Sequence, residues 1–383
     1  MSETADIVVV GGGAVGCSAA YHLAAAGAGD VLLLERAGAV GTGATGACAG
    51  GFRFQFSSRI NVELSLASVP MILGFSELHG QPLDVVQDGY LFLIRDEGAR
   101  ARFEAAAAMQ RSLGVDVRLL TPEEAAGLAP GISLEGVVAA TYCPDDGIAD
   151  PGGLTQGYAT IAARAGARLR TGAEVASIVV EGGRVAGVRT AAADVATRTV
   201  LNAAGPWAGP LAAGAGVKLP LEPVPRMVVT TGPFPGAPTR RTLVIDAATS
   251  FYFHREGEGV LMGMGGVDER PSFSLGVDER FVAEELVPTA IRVFPPLEAA
   301  GVASSWAGLY EMTPDRHPIL GATPVEGLWL ANGFSGHGFQ HAPVVGLLLA
   351  EMIVHGAART VDVSSLDLGR FERGDLVPEA HVV

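Results

Sequence analysis

Residues 6–35 constrain this chain more than any other stretch. Ile7-Val8-Val9-Val10 is a short, wholly apolar run, the pattern of a strand covered on both faces in a parallel sheet. Gly11-Gly12-Gly13-Ala14-Val15-Gly16 follows at once and opens an Ala-rich helical segment to about Ala26. Val31-Leu32-Leu33-Leu34 reads as a second buried strand and ends on Glu35, 19 positions after Gly16. Each part of this strand–turn–helix–strand unit has a physical job. Gly11 permits the tight turn, Gly13 lets the backbone approach a pyrophosphate, and Gly16 lets the helix pack close to the strand. The helix N-terminus offers free N–H groups and a positive dipole end to phosphates. Glu35 can accept a hydrogen bond from a ribose 2′-OH, and a 2′-phosphate there would meet a carboxylate. The unit predicts dinucleotide binding.

Composition narrows the partners. The net charge of −15 argues against nucleic acid, whose phosphates need a basic face. At 383 residues, with 49% hydrophobic and 17% charged, the chain suits two domains and a large core. Cys17, Cys48 and Cys143 are too widely spaced for a disulfide framework or a zinc pattern, and they fit a reducing compartment such as the cytoplasm. No apolar run reaches the ~18 residues of a membrane span. The N-terminus reads as the first strand rather than a signal peptide.

The remaining elements interleave two textures. Residues 41–51 are almost all small, which suits either a flexible linker or a loop extending the phosphate surface. A helix is expected over 61–78, a strand over 89–94, helices over 97–113 and from Pro122, and, after turns at 142–147 and 150–153, a helix to about 165. Strands follow near 167–170, 173–180 and 184–190, with Gly182-Gly183 as a hairpin turn. The stretch 198–207 reads as a strand stopping at Gly205. Residues 219–306 are β-rich, with strands expected over 227–231, 242–246, 250–254 and 259–263 and a helix over 279–293. The pattern of the start returns in a strand over 327–331, a glycine-rich loop over 332–340 and a helix over 343–355.

In this order the chain resembles the D-amino-acid oxidase and sarcosine oxidase family of FAD-dependent oxidoreductases over essentially its whole length. The resemblance rests on the Gly11–Glu35 unit and on Asn202-Ala203-Ala204-Gly205-Pro206-Trp207. It rests equally on Met312-Thr313-Pro314-Asp315-Arg316-His317-Pro318-Ile319-Leu320-Gly321 and on Gly333-Phe334-Ser335-Gly336-His337-Gly338-Phe339-Gln340-His341-Ala342-Pro343. Ala49-Gly50-Gly51-Phe52-Arg53-Phe54-Gln55-Phe56-Ser57 looks most like the branch of proline dehydrogenase and sarcosine oxidase β subunits. The family implies an α/β, Rossmann-like FAD-binding domain (1–82, 145–218, 311–383) interleaved with an α+β, antiparallel-sheet substrate domain (83–144, 219–310). It implies oxidation of a C–N bond in a secondary-amine or D-amino acid. It also implies an electron acceptor, either a quinone, a flavin carrier or O2, and assembly as a homo-oligomer or as the β subunit of a hetero-oligomer.

Carried onto this sequence, the family's cofactor contacts fall on Gly11, Gly13, Ala14, Val15, Gly16, Glu35 and Arg36, then on Thr42, Gly43, Ala44, Thr45, Gly50 and Gly51. They continue at Val175 by the adenine, at Ala203, Ala204, Gly205 and Trp207, and at Gly308. Gly333, Phe334, Ser335, Gly336, His337, Gly338, Phe339 and Gln340 would lie against the pyrimidine end of the flavin. The helix starting near Pro343 would aim its N-terminus at that end, favouring the negative charge of reduced flavin.

For the substrate carboxylate Arg53 is the first candidate, its alternative being a surface salt bridge; Arg226, Tyr252 and Tyr310 follow. His337 reads as ordering the backbone more than as a base, His22 as structural, and Asp315 with Arg316 as a local pair. Two departures stand out. Trp306-Ala307-Gly308-Leu309-Tyr310 lacks the cysteine with which some members tether FAD, so non-covalent FAD is expected. Gln340 stands where some members carry a carboxylate-binding lysine. A lysine that activates O2 in sarcosine oxidases falls near Leu261 or Met262 here, so a dehydrogenase is expected over an oxidase. The competing readings are oxidation of a hydroxy acid or polyol on the same fold, or a non-catalytic flavoprotein assembly factor.

Overall fold

The computed structural model describes residues 3–266 and 270–381. Ile7–Val10 and Val31–Leu34 are buried at every position and pair in parallel, Ile7 opposite Val31 and Val10 opposite Leu34. They sit inside a six-stranded sheet ordered Arg168–Arg170, Val31–Leu34, Ile7–Val10, Thr199–Asn202, Leu328–Asn332, Ile319–Ala322. The first five strands run parallel and the last is antiparallel to its neighbour. Alternation sends Val9 and Leu33 to a core shared with the helices Ala14–Ala25, Pro151–Arg164 and Gly338–His355. Val8, Val10, Leu32 and Leu34 go to the opposite face, under Ile178, Val188 and Ala212. Both faces are therefore covered, as continuous apolar strands require.

A second sheet has eight strands, ordered Val302–Met312, Glu222–Thr231, Gly259–Met264, Phe251–Glu256, Leu243–Asp246, Tyr90–Ile94, Ala139–Cys143, Arg118–Leu120. It is antiparallel except where Leu243–Asp246 runs parallel to Tyr90–Ile94. Phe251, Phe253 and Met262 pack on one face against Leu286, Val293 and Phe294. Tyr90, Leu243, Tyr252 and Leu261 share the other. Its edge strand is Val302–Met312. Gly51–Phe52, Gly147–Ala149 and Val85–Val86 form a small third sheet. Gly182 and Gly183 both take positive φ (58° and 80°) at the expected hairpin. Among the described residues no helix is long and apolar enough to cross a membrane, and Cys17, Cys48 and Cys143 are free thiols.

Three local expectations are corrected. The helix over 61–78 is two, Arg59–Leu73 and Phe75–His79, interrupted at Gly74. The helix expected from Pro343 starts at Gly338 and holds Pro343 inside it. A proline there removes an N–H and normally breaks a helix. Here Ser68, from the neighbouring Arg59–Leu73 helix, bridges the weak turn: its hydroxyl donates to the Gln340 carbonyl (2.6 Å) and accepts from the Val344 N–H (3.4 Å). Asp315 does not pair with Arg316. Its carboxylate instead takes both arms of the buried Arg370, through Nε at 2.7 Å and Nη2 at 3.0 Å.

Candidate active site

A cavity of about 440 Å³ runs from the Gly11 turn, between the two large sheets, to Arg53, Tyr252, Tyr310 and His337. At one end the helix Ala14–Ala25 begins at Gly13, which supplies no capping side chain. Gly11 sits at φ 109°, and a Cβ there would come within 2.3 Å of the Ala203 carbonyl, so the turn accepts no larger residue. Glu35 is fixed from both sides: Oε2 accepts from Gly12 N–H (2.6 Å) and Oε1 from Ala37 N–H (2.7 Å). Residues 41–51 are not a flexible linker. Gly41 N–H donates to the Gly12 carbonyl (2.8 Å) and Thr45 Oγ1 accepts from Ala14 N–H (3.1 Å), closing the loop over the helix N-terminus. A helix start with no cap from Gly13, an anchored acid and a wall of small residues fit a dinucleotide's pyrophosphate and ribose.

Of the residues expected to contact the cofactor, three lie behind the wall. A Cβ on Gly16 would fall 1.9 Å from the Gly11 carbonyl, so Gly16 serves helix–turn packing. Gly333 is backed by Thr313, and Ser335 Oγ is turned back to the Gly333 carbonyl (3.3 Å) and Thr313 N–H (3.2 Å). The others, with Arg53, Arg226, Tyr252, Tyr310 and His337, line the cavity. So do Cys48, Tyr90, Glu174, Val228, Leu243 and Glu311, which sequence reasoning missed. Tyr90 was legible only as part of a strand. Its neighbourhood with Gly51 depends on a sheet crossing that no local pattern encodes.

At the far end Arg53 is 4% exposed. Nη1 donates to the Gln55 carbonyl and Nη2 to the His381 carbonyl, and the guanidinium lies 3.9 Å from the Phe56 ring centre. The surface salt bridge considered for it does not occur, and among the described residues it forms no ion pair. Gln340 clamps the Arg53 backbone on both sides, its Oε1 accepting from the N–H and its Nε2 donating to the carbonyl, each at 3.1 Å. Arg226 lies 4.9 Å from the Tyr310 ring centre on the adjoining strand pair.

The His337 ring stands edge-on to Phe56 at 4.9 Å. Burial, with Arg53 and His341 nearby, drives its pKa well below the ordinary histidine value, so it is neutral and a poor base. Burial pushes Glu311 the other way, up to about 7, against the Gly333 and Phe334 N–H groups. Burial likewise pushes the Cys48 thiol up to about 11, which leaves little thiolate at neutral pH.

The family described as "FAD dependent oxidoreductase" matches residues 6–352. FAD-dependent oxidoreductase domain-containing protein 1 of Bos taurus is 34% identical, covering 98% of this chain and 87% of its own. Mitochondrial sarcosine dehydrogenase of Homo sapiens is 31% identical over 97% of this chain, which spans 42% of that protein. Among solved structures, L-proline dehydrogenase from P. horikoshii superposes with a TM-score of 0.91 at 34% identity, covering 98% of this chain and all of that one. The family match takes in both large sheets and every residue lining the cavity, and so the chain belongs to the FAD-dependent oxidoreductase family.

Proposed function

We propose that the protein oxidises the C–N bond of a small amino acid bearing a secondary amine, such as proline, sarcosine or another N-methyl amino acid, or of a D-amino acid. The observation that carries this reading is Arg53. A buried cation is costly without a counter-ion, yet Arg53 faces the cavity with only neutral carbonyls as hydrogen-bond partners. Its charge suits a substrate carboxylate. The relatives named for sarcosine and proline act on amines that carry one.

Residues 11–15, 42–51 and Glu35 would hold the cofactor's pyrophosphate and ribose, and residues 334–340 its ring end. FAD bound there would supply the hydride acceptor for the carbon next to the amine, and water would hydrolyse the imine that results. Arg53 would hold the carboxylate, while Tyr252, Tyr310 and Val228 enclose the substrate and exclude water. The test is anaerobic bleaching of the bound flavin by proline, sarcosine, dimethylglycine and a panel of D- and L-amino acids. Bleaching by hydroxy acids alone, or by nothing, would overturn the proposal.

Two expected results follow directly. Flavin should leave the protein intact on acid or heat denaturation, since residues 306–310 hold no cysteine and burial keeps the Cys48 thiol protonated. Colour that stays with the denatured chain would show a covalent bond. Arg53→Ala should weaken substrate binding roughly 10- to 100-fold, the range of a charge-assisted hydrogen bond, with FAD affinity little changed. Titration of flavin absorbance with substrate checks this.

A further inference from the structure

The chain's last described segment, 379–381, packs directly behind Arg53. Glu379 is fully buried and its carboxylate accepts six hydrogen bonds. Oε1 accepts from Ser57 N–H (2.8 Å), Ser57 Oγ and His381 N–H (2.9 Å). Oε2 accepts from Ser58 N–H (3.0 Å), Ser58 Oγ (2.7 Å) and Asn61 Nδ2 (3.2 Å). Ser58 is the N-cap residue of the Arg59–Leu73 helix, so this carboxylate also lies at a positive helix end. Beyond Glu379, the Ala380 N–H donates to Ser57 Oγ (2.7 Å) and the His381 carbonyl receives Arg53 Nη2. The His381 ring stacks on Phe103 at 4.0 Å. On the opposite side, Asp146 holds the 53–55 backbone by accepting from Phe54 N–H (2.6 Å) and Gln55 Nε2 (2.8 Å).

We propose that Glu379 is a positioning residue for the carboxylate site: it pins the C-terminal segment so that the His381 carbonyl holds Arg53 toward the cavity. The proposal rests on the reading of Arg53 as the substrate's carboxylate partner. Two features favour it over a purely structural tether. Glu379 spends its bonds on residues 57, 58, 61 and 381 and makes none to Arg53, so it fixes the frame and acts on the guanidinium only through its charge, leaving the cavity-facing donors unengaged by a carboxylate. The carbonyls that Arg53 meets are neutral and restrain a long, flexible side chain before substrate arrives. A side chain already ordered loses less freedom on binding, which is the gain from preorganisation. The same carboxylate charge opposes the effect of burial on Arg53, which acts to lower its pKa. Burial itself would raise the pKa of Glu379, but the Ser57 and Ser58 hydroxyls and the Arg53 charge hold it well below the usual range, so it stays ionised.

The experiment is a double-mutant cycle on the FAD-bound protein, read with a non-oxidisable carboxylate, tetrahydro-2-furoate, that perturbs the flavin spectrum. Glu379→Gln should weaken its binding about 10-fold, the order expected when a preorganised contact becomes mobile. The rate of flavin reduction at saturating substrate should fall by less than a factor of about 3, since a positioning loss appears in binding before chemistry. Ser57→Ala, which removes two of the segment's bonds and spares the carboxylate, should move affinity the same way by a smaller factor. In an Arg53→Ala background neither change should weaken binding further, because coupled residues are not additive. Additive losses, or unchanged affinity in Ser57→Ala and Glu379→Gln beside a weakened Arg53→Ala, would overturn the proposal and leave the Arg53 reading standing. An Arg53→Ala variant that binds tetrahydro-2-furoate normally would overturn both.

Discussion

Arg370→Ala is expected to lower the unfolding free energy by about 3–5 kcal/mol, the cost of leaving one member of a buried ion pair alone. Arg370 is 1% exposed and grips Asp315, itself 2% exposed, with two arms. Its remaining donors reach the carbonyls of Leu366 (2.9 Å), Asp367 (3.2 Å) and His317 (2.9 Å). Alanine would leave the buried Asp315 carboxylate with no cation and only the His317 N–H, and would take from the Leu366 carbonyl its arginine donor, while the His317 and Asp367 carbonyls keep Thr313 Oγ1 and the residue-370 N–H. The pair also carries the site indirectly. The Asp315 carbonyl accepts from Glu379 N–H (3.0 Å), and His317 Nε2 lies 2.8 Å from Ser58 Oγ. Urea unfolding of the FAD-bound protein checks the value, and a loss below about 1 kcal/mol, the level of an exposed pair, would show that the pair is not essential.

The sign with pH is set by Asp315. Burial acts to raise its pKa, but the hydrogen bonds and charge of Arg370 outweigh that and hold it below the ordinary value. A depressed carboxylate pKa adds stability above the unfolded value of about 3.9, lost as pH falls through the folded one. Wild type should therefore lose stability more steeply than Arg370→Ala on acidification below about pH 4.

The sequence carried the first sheet well because its signals are local. Four-residue apolar runs, a glycine turn and an acid 19 residues on need no partner to be recognised. The same holds for Gly182-Gly183, whose positive φ values are a property of the turn itself. What stayed hidden depends on distant chain. Pro343 looks like a helix start until Ser68 is found bridging the turn it weakens. Asp315 has an arginine beside it in sequence, yet its partner is 55 residues away, because Arg316 sits at φ 60° and is exposed. Arg53 was legible as a candidate from its place after the glycine loop. The segment that holds it, more than 300 residues later, left no pattern to read.

The electron acceptor gives the last expected result: substrate-reduced enzyme should react with air far more slowly than it turns over with an artificial acceptor. Strand register sets what faces the cavity here. Leu261 lies opposite His254 and Thr230, and its side chain joins Tyr252, Leu243 and Val228 on the cavity-side face. Met262 points to the other face, among Phe251 and Phe253. Of the two positions, Leu261 is the one on the cavity-side face, 7% exposed and apolar, and we propose it as the counterpart of the sarcosine oxidases' lysine. Lys218, the chain's single lysine, is exposed beyond the Ala208–Gly214 helix, and Arg255 is tied to the carbonyls of Gly257 and Thr239. His254 is buried, and burial lowers its pKa, which disfavours a positive charge there. With leucine where the sarcosine oxidases have a lysine, the negative charge arising as the first electron reaches O2 has no cation from this strand to offset it. A charge pair at 4 Å is worth about 4 kcal/mol at an effective dielectric of 20, and even half of that is a rate factor on the order of 30. Leu261→Lys should accordingly speed reoxidation by roughly 10- to 1,000-fold, most below the lysine's own pKa, which burial would lower. Stopped-flow mixing of anaerobically reduced protein with aerated buffer measures both. Wild-type reoxidation as fast as turnover, with stoichiometric H2O2, would make the protein an oxidase.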